Sequence, residues 1–422
     1  MATIEDLVSR GANSIFRRVS MKRLQLNNQY ETDWGDITSY VIKYGTIRYS
    51  YNDIVYLGNT MITGATLVFD NSRGQFNDEN TITSLFNGFK TRYRTKFKIE
   101  VGYLDDNQDE VSGLVFYGIS YGDPKTNDKG TISIKLSSLL KVFSNYAADG
   151  ISTSSGTTEE LIDRLVKKTQ GGQRIFDSFF EGATDADKYK INPRAITGLL
   201  DINGPEIGDD KSVFDKLVDY SLISNFYFTV DNEGSFVWDI KEEKNVISWY
   251  FNGTGQFNND FGVNIVNVPK LIQGLNNTWG RVAIEYRNGT AVSAASWVPG
   301  DGSAQDLYGE RTFNYELKEL SVSEANDMAL DIRQIYQNPK REYTLNTVFI
   351  PQLELNDWVK INYIGEPSAG QQIIIGEFVI GDDSIPIGGS QGSINISDVD
   401  AKIIGITLNL DNLTSQFVLR EF

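Results

Sequence analysis

The chain has neither cysteine nor histidine. Without cysteine there is no disulfide, no thiol nucleophile and no thiolate metal site. Without histidine there is no imidazole general base, no Ser-His-Asp triad and no haem or zinc ligand of that type. The catalytic chemistry left to such a chain is that of carboxylates, lysine, tyrosine, hydroxyls and oxygen-bound metals. Proline and methionine are also sparse, at 9 and 4 residues.

Two further shortages narrow the class. No stretch approaches the roughly 20 apolar residues of a membrane span. The first residues carry Glu5 and Asp6 rather than the apolar core of a secretion signal. The sequence therefore predicts a soluble protein made in a cytoplasm, with no membrane partner. Basic residues are outnumbered, 39 against 56, leaving a net charge of −17 in 422 residues. That balance argues against a protein that grips nucleic acid by its phosphates. It does not exclude one that nucleic acid merely passes.

What is present favours strands. Aromatics reach 12%, mostly Tyr and Phe, and with Thr, Val and Ile they suit a pleated surface. Runs at 22–27, 46–51, 65–70, 96–104, 114–121 and 131–136 read as strands of a closed or nearly closed barrel. In the last of these, Ile132, Ile134 and Leu136 alternate with Ser133 and Lys135. Further strand runs are predicted at 280–286, 344–349, 358–363, 372–380, 402–409 and 415–420. Between the two β-rich regions lies a mixed stretch. It follows a Ser/Thr/Gly-rich linker at 150–156 and has a helix signal opened by Thr157 and Glu160. A second helix is signalled by Ser212 and Asp215, and a hairpin turns at Asn232-Glu233-Gly234. One more helix is predicted over 321–336, with Pro339 just beyond it. No close sequence repeat relates the two β-rich regions.

At the start, Ile4, Leu7, Val8, Ala12, Ile15 and Phe16 fall at helical spacing, with a Thr3/Asp6 capping pattern before them and Arg17 and Arg18 after. This predicts a short amphipathic helix. It packs on its own domain or forms an arm for a neighbouring subunit. In the second case Ile4, Leu7, Val8, Ile15 and Phe16 are the partner-contact residues.

No catalytic, cofactor-binding or metal residue stands out. Asp105 to Glu110 faintly suggests a calcium loop, but Glu110 occupies the required glycine position and Phe116 that of the bidentate Glu. It reads as an acidic hairpin turn. Gly253 to Asn258 lacks the third glycine of a dinucleotide loop. Among 56 acidic residues some pair will have glycosidase spacing by chance. The six Trp residues read mostly as core or interface. The basic run Lys90 to Lys98 alternates with Thr, Tyr and Phe and reads as one charged strand face with a local acidic partner.

Three stretches together are more specific. The first is Trp34-Gly-Asp-Ile-Thr-Ser-Tyr40 followed by Thr63-Gly-Ala-Thr-Leu-Val-Phe-Asp-Asn-Ser-Arg-Gly-Gln-Phe-Asn77. The second is Ser212 to Tyr220 with Phe226-Tyr-Phe-Thr-Val-Asp-Asn-Glu-Gly-Ser-Phe236. The third is Asn338-Pro-Lys-Arg-Glu-Tyr343, then Ile350-Pro-Gln-Leu-Glu-Leu-Asn-Asp-Trp-Val-Lys-Ile361, then Ile403-Ile-Gly-Ile-Thr-Leu408 to Arg420. In order and spacing this set resembles the tail hub and baseplate hub proteins of tailed bacteriophages, over most of residues 21–422. Asn356 stands where that family usually has Gly. Asn is the next best residue for a left-handed turn.

The resemblance implies a mainly β protein with an α+β insertion. It has two β-barrel domains flanking a mixed module, plus the short N-terminal helix. The boundaries are 1–20 for the helix or arm, 21–147 for the first barrel, 148–257 for the α+β module and 258–422 for the second barrel with its helix. It further implies a non-enzymatic homotrimer in the virion, at the tail tip. This ring would join a sixfold tail tube to threefold tip components. The implied partners are tube or distal tail, tape measure, and fibre or spike proteins, and DNA would pass through unheld. Family members often continue into a peptidase or lysozyme-like domain, whereas this sequence ends at Phe422. Two other readings stand beside it. One is a receptor-binding or adaptor tail protein with sugar-binding loops, for example around Trp297 to Asp306. The other is a carboxylate-based cell-wall hydrolase.

Overall fold

Runs of Thr, Val, Ile, Phe and Tyr with period two must find partner edges for their backbone groups. Here most of them find those edges in one sheet. The structure is a computed structural model describing residues 7, 14–51, 59–120, 124–126, 130–148, 158–170, 172–192, 211–224, 226–240, 246–253, 261–273, 278–286, 288–318, 320–364 and 395–421. Eighteen strands share the main, largely antiparallel sheet, and a three-stranded and a two-stranded sheet stand apart.

Pairing in the N-terminal β region runs as follows. Strand Ile15–Leu24 pairs with Thr91–Leu104, which pairs with Glu110–Ser120, which pairs at its end with Thr131–Ser138. That strand pairs with Asn59–Asp70, whose other edge takes Val41–Lys43 and Thr46–Tyr51. Inward residues such as Val19, Leu67, Phe69, Phe97, Ile99 and Ile132 are fully buried.

The C-terminal β region follows the same order. Trp249–Asn252 pairs with Trp358–Ile364, then come Asn395–Asn409, Thr414–Glu421 and Arg341–Val348. The free edge of Arg341–Val348 takes Ile265, through a bridge to Thr347, and strand Lys270–Gln273. The register repeats as well. Val41 pairs with Phe69 and Arg48 with Gly64. Ile265 pairs with Thr347 and Ile272 with Glu342, at identical chain spacings on both strands. One element differs: Ile15–Leu24 is antiparallel to its neighbour, whereas Trp249–Asn252 is parallel. The repeat is thus one of hydrogen-bond register, which the sequence does not display.

The two regions are joined edge to edge. Strand Thr46–Tyr51 pairs with Asn59–Asp70 on one side and with Gly405 to Asn409 on the other. The Asp411 carboxylate accepts from the backbone N–H groups of Tyr44 and Gly45 at 2.9 and 3.1 Å. Arg17 donates to the Leu410 carbonyl at 2.7 Å, and the Tyr103 hydroxyl donates to the Phe349 carbonyl at 2.6 Å. One hydrophobic cluster spans both regions. The expected pair of separate closed barrels is therefore corrected to one continuous sheet.

The middle module packs helices Thr158–Val166 and Val213–Ser224 beside strands Tyr189–Ile191, Phe226–Val230 and Phe236–Ile240. Its own core holds Phe143, Phe176, Phe228, Phe236 and Trp238. The Ser212/Asp215 capping pattern forms as expected, with Ser212 N–H donating to the Asp215 carboxylate and Asp215 N–H to Ser212 Oγ. The expected turn at 232–234 also forms, closed by Asp231, whose carboxylate accepts from Glu233 and Ser235 N–H at 2.9 Å each.

Two expectations change. Ile15 and Phe16 are strand residues, paired with Tyr103 and Gly102, not helical ones. Continuous pairing of Ile15 to Lys22 with the long strand Thr91–Leu104 decides it. The predicted helix forms as Val322–Tyr336, with a Ser321/Glu324 capping box, but it does not pack within the second β region. It covers a small sheet of Arg281–Tyr286, Gly289–Ala294 and Thr312–Glu316 with its own core of Trp279, Val282, Ile284, Phe313 and Ile332. The N-terminal helix apart from Leu7, the 150–156 linker, Thr157, the strand at 372–380 and most of Gly253 to Asn258 lie outside the described residues.

Candidate functional site

The acidic loops are committed to their own backbones. The Asp105 carboxylate accepts from Asn107 and Asp109 N–H at 2.9 Å each, closing the turn between strands Thr91–Leu104 and Glu110–Ser120. Around Trp297 to Asp306, Asp301 accepts from Val298 and Ser303 N–H, and Asp306 from Gly300 and Gly302 N–H. Those carboxylates shape the loop and do not converge on a sugar site. Among the described residues no group of three or more acidic side chains is placed to hold a metal ion. Trp238, Trp249 and Trp279 are buried core residues, while Trp34, Trp297 and Trp358 are half-buried.

The basic strand does find its acid. Lys96 Nζ donates to the Glu181 carboxylate at 2.6 Å and to the carbonyls of Ser178 and Phe179 at 3.1 and 3.2 Å. Lys22, on the neighbouring strand, reaches the other Glu181 oxygen at 2.7 Å. Lys22 lies over the Trp34 ring and Lys96 over the Tyr30 ring. This two-cation, one-anion knot pins the middle module onto the first β region. Burial would raise the Glu181 pKa, but Lys96 and Lys22 outweigh it and hold the group below its ordinary value. For Lys96 burial wins over the Glu181 charge and lowers the pKa from 10.5 to about 8.

That shift has a signed consequence. Between pH 8 and 10.5 the unfolded chain holds a proton on Lys96 that the folded chain has released. Stability then rises with pH across this window as far as Lys96 is concerned. Urea unfolding of wild type and Lys96→Met at pH 7.5 and 9.5 should show the wild type gaining relative to the variant. An unchanged difference would mean that Lys96 stays charged throughout.

A groove of about 560 Å³ lies where the three parts meet, lined by Leu114, Val115, Tyr227, Asp231, Glu354 and Leu355 among others. Its one lysine, Lys190, is paired with Asp231 at 2.7 Å and with Glu233, and these hydrogen bonds raise its pKa. Elsewhere, an apolar strip is exposed along one edge of the C-terminal β region: Val263, Val266, Val268, Leu271 and Val348. Among the described residues, strand Lys270–Gln273 pairs on one side only.

Of the five predicted partner-contact residues, Leu7 is helical and buried in the main core. Ile15 and Phe16 are half-buried strand residues, and Ile4 and Val8 lie outside the described residues. The exposed strip was not anticipated, nor was Glu181 as the acid that Lys96 shares with Lys22. The only sequence signals are the valines spaced through Val263 to Val268 and a lysine beside Phe97 in a strand.

No family model matches the sequence, and no curated protein matches it. Solved structures do match. The prophage tail protein gp18 from Listeria monocytogenes EGD-e superposes over 96% of this chain and 94% of its own, at 10% identity and a TM-score of 0.50. The 43 kDa tail protein of prophage MuSo2 from Shewanella oneidensis covers 96% and 98%, at 13% identity and 0.50. A tail protein from Neisseria meningitidis MC58 covers 97% of each chain, at 9% identity and 0.52. At these identities the likeness establishes a shared fold: the chain has the fold of prophage tail proteins over nearly its whole length.

Proposed function

We propose that this chain is a structural component of a bacteriophage tail, the hub at the tail tip or baseplate, and that it acts as a homotrimeric ring. The observation that carries the reading is the end-to-end likeness to three prophage tail proteins, with no large segment left over on either side. The repeated strand order supports it. Two β regions of like strand order per chain make six in a trimer, which matches a sixfold tube above and leaves threefold symmetry below for fibre, spike or tape measure proteins. The role is structural and not enzymatic. The acidic residues of the two loops that invited a metal or sugar reading are used in holding those loops.

The charge of −17 has a place in this reading. Carboxylates facing a central channel repel the DNA backbone and let it slide without being held. The test is an image of the intact tail. Three copies should surround the axis at the end of the tube, with an acidic channel wall. Copies placed out along a fibre would overturn the hub reading. A wall lined with Lys and Arg would overturn the channel reading alone.

A further inference from the structure

We infer that the exposed edge strand Lys270–Gln273 of one copy pairs antiparallel with the edge at Lys125–Thr126 of the next copy, forming the seam of the ring. The inference rests on the proposed ring and specifies its contact. The argument comes from the junction already formed within the chain.

By pairing register, Thr46 to Tyr49 and Lys270 to Gln273 occupy the same place in the two β regions. Arg48 pairs with Gly64 as Ile272 pairs with Glu342, and Tyr49 with Thr63 as Gln273 with Arg341. The first of these strands has its outer edge filled by Gly405 to Asn409. The second has no partner there among the described residues. Burial records the difference. Ile47 is 0% exposed, whereas its counterpart Leu271 is 39% exposed, with Val266 and Val268 exposed beside it. A strand edge bearing apolar side chains and unpaired backbone groups is a template for another chain.

The surface that would fill it is also present. Gly405 to Asn409 continues the strand that pairs with Thr414–Glu421. Its counterpart in the N-terminal region is Lys125–Thr126, which pairs with Ser133 and Ile132 of Thr131–Ser138. The turns after both carry a left-handed residue just before a threonine, Gly130 (φ 68°) before Thr131 and Leu413 (φ 53°) before Thr414. Among the described residues, Lys125–Thr126 has no strand on its outer edge. Among the described residues each copy thus carries one unfilled socket and one short unfilled edge, in the register of a pair already joined inside it. Such a contact is heterologous, and a heterologous contact closes into a ring when its rotation permits. Carrying over the internal register, Ile47 opposite Leu408 becomes Leu271 opposite Thr126. The copy is not perfect. Pro269 stands where Gly45 donates its N–H to Asp411, so that hydrogen bond has no counterpart.

The absence of native cysteine makes the test clean. The full-length double variant Thr126→Cys/Leu271→Cys is oxidised and run on a denaturing gel without reductant, beside both single variants. A ladder of covalent dimer and trimer is expected from the double variant alone, since a heterologous seam sets each position against the other. Mass measurement of the unoxidised protein at the same concentration separates the outcomes. An oligomer without the ladder overturns this seam and leaves the ring standing. Ladders of equal strength from a single variant overturn it in favour of a twofold contact. A monomer with no ladder overturns the ring and the seam together.

Discussion

Glu181→Gln is expected to destabilise the chain by about 2–3 kcal/mol, somewhat below the range for breaking a fully buried ion pair because the carboxylate keeps some solvent access. The reason is the imbalance left behind. Lys22 and Lys96 share this single anion at 2.7 and 2.6 Å, and the Lys96 side chain is only 3% exposed. Gln offers one neutral oxygen to two ammonium groups that have little water to turn to. Lys96→Met leaves the Lys22–Glu181 pair balanced one to one and removes an ammonium that burial already disfavours, so it should cost clearly less than Glu181→Gln. Urea titration at pH 7.5 compares the two. Equal losses would mean that geometry, and not charge balance, holds the middle module on the strand pair.

Trp238→Ala should cost about 3–5 kcal/mol, the range for emptying a large aromatic site. Trp238 is fully buried and stacks on Phe226 and Phe228, with ring centroids 6.0 and 5.7 Å away. Its loss opens a cavity between strands Phe226–Val230 and Phe236–Ile240. Trp238→Phe should cost much less. It keeps a ring in the stack and removes an indole N–H that is buried without a hydrogen-bond partner. Trp238 belongs to the core of the middle module, so its loss is best read locally. Hydrogen exchange followed along the hairpin is the measurement. Faster exchange there for the Ala variant, with the two β regions unchanged, is the expected pattern. Uniform acceleration through the chain would mean that the module does not unfold on its own.

These two sites also mark what the sequence could disclose. The hairpin around Trp238 was legible, because alternating aromatics flank a turn written in Asp231-Asn-Glu-Gly234. So was the left-handed turn at Asn356, which adopts φ 73° where a glycine was the usual choice. The helix Val322–Tyr336 and the strand Arg281–Tyr286 were legible too, but not the strands beside them, since Gly289–Ala294 and Thr312–Glu316 are short and largely polar. Lys22, Lys96 and Glu181 lie far apart along the chain, and only folding brings them together. The start of the first strand was misread because Ile15 and Phe16 fit a helical period and a strand equally well. A partner strand decides such cases, and a partner is not a local property.

The shared strand Asn395–Asn409 has a mechanical consequence. Its first part pairs with Trp358–Ile364 and its last part with Thr46–Tyr51, and a register shift falls between Ile403 and Gly405. No flexible hinge separates the two halves of the molecule at this point. A load applied to one half reaches the other along a single backbone and its hydrogen bonds. The irregularity between Ile403 and Gly405 sets a local angle in that strand, as bulges commonly bend a sheet. In an assembly built from such copies, the curvature of the whole would be set by that local angle repeated.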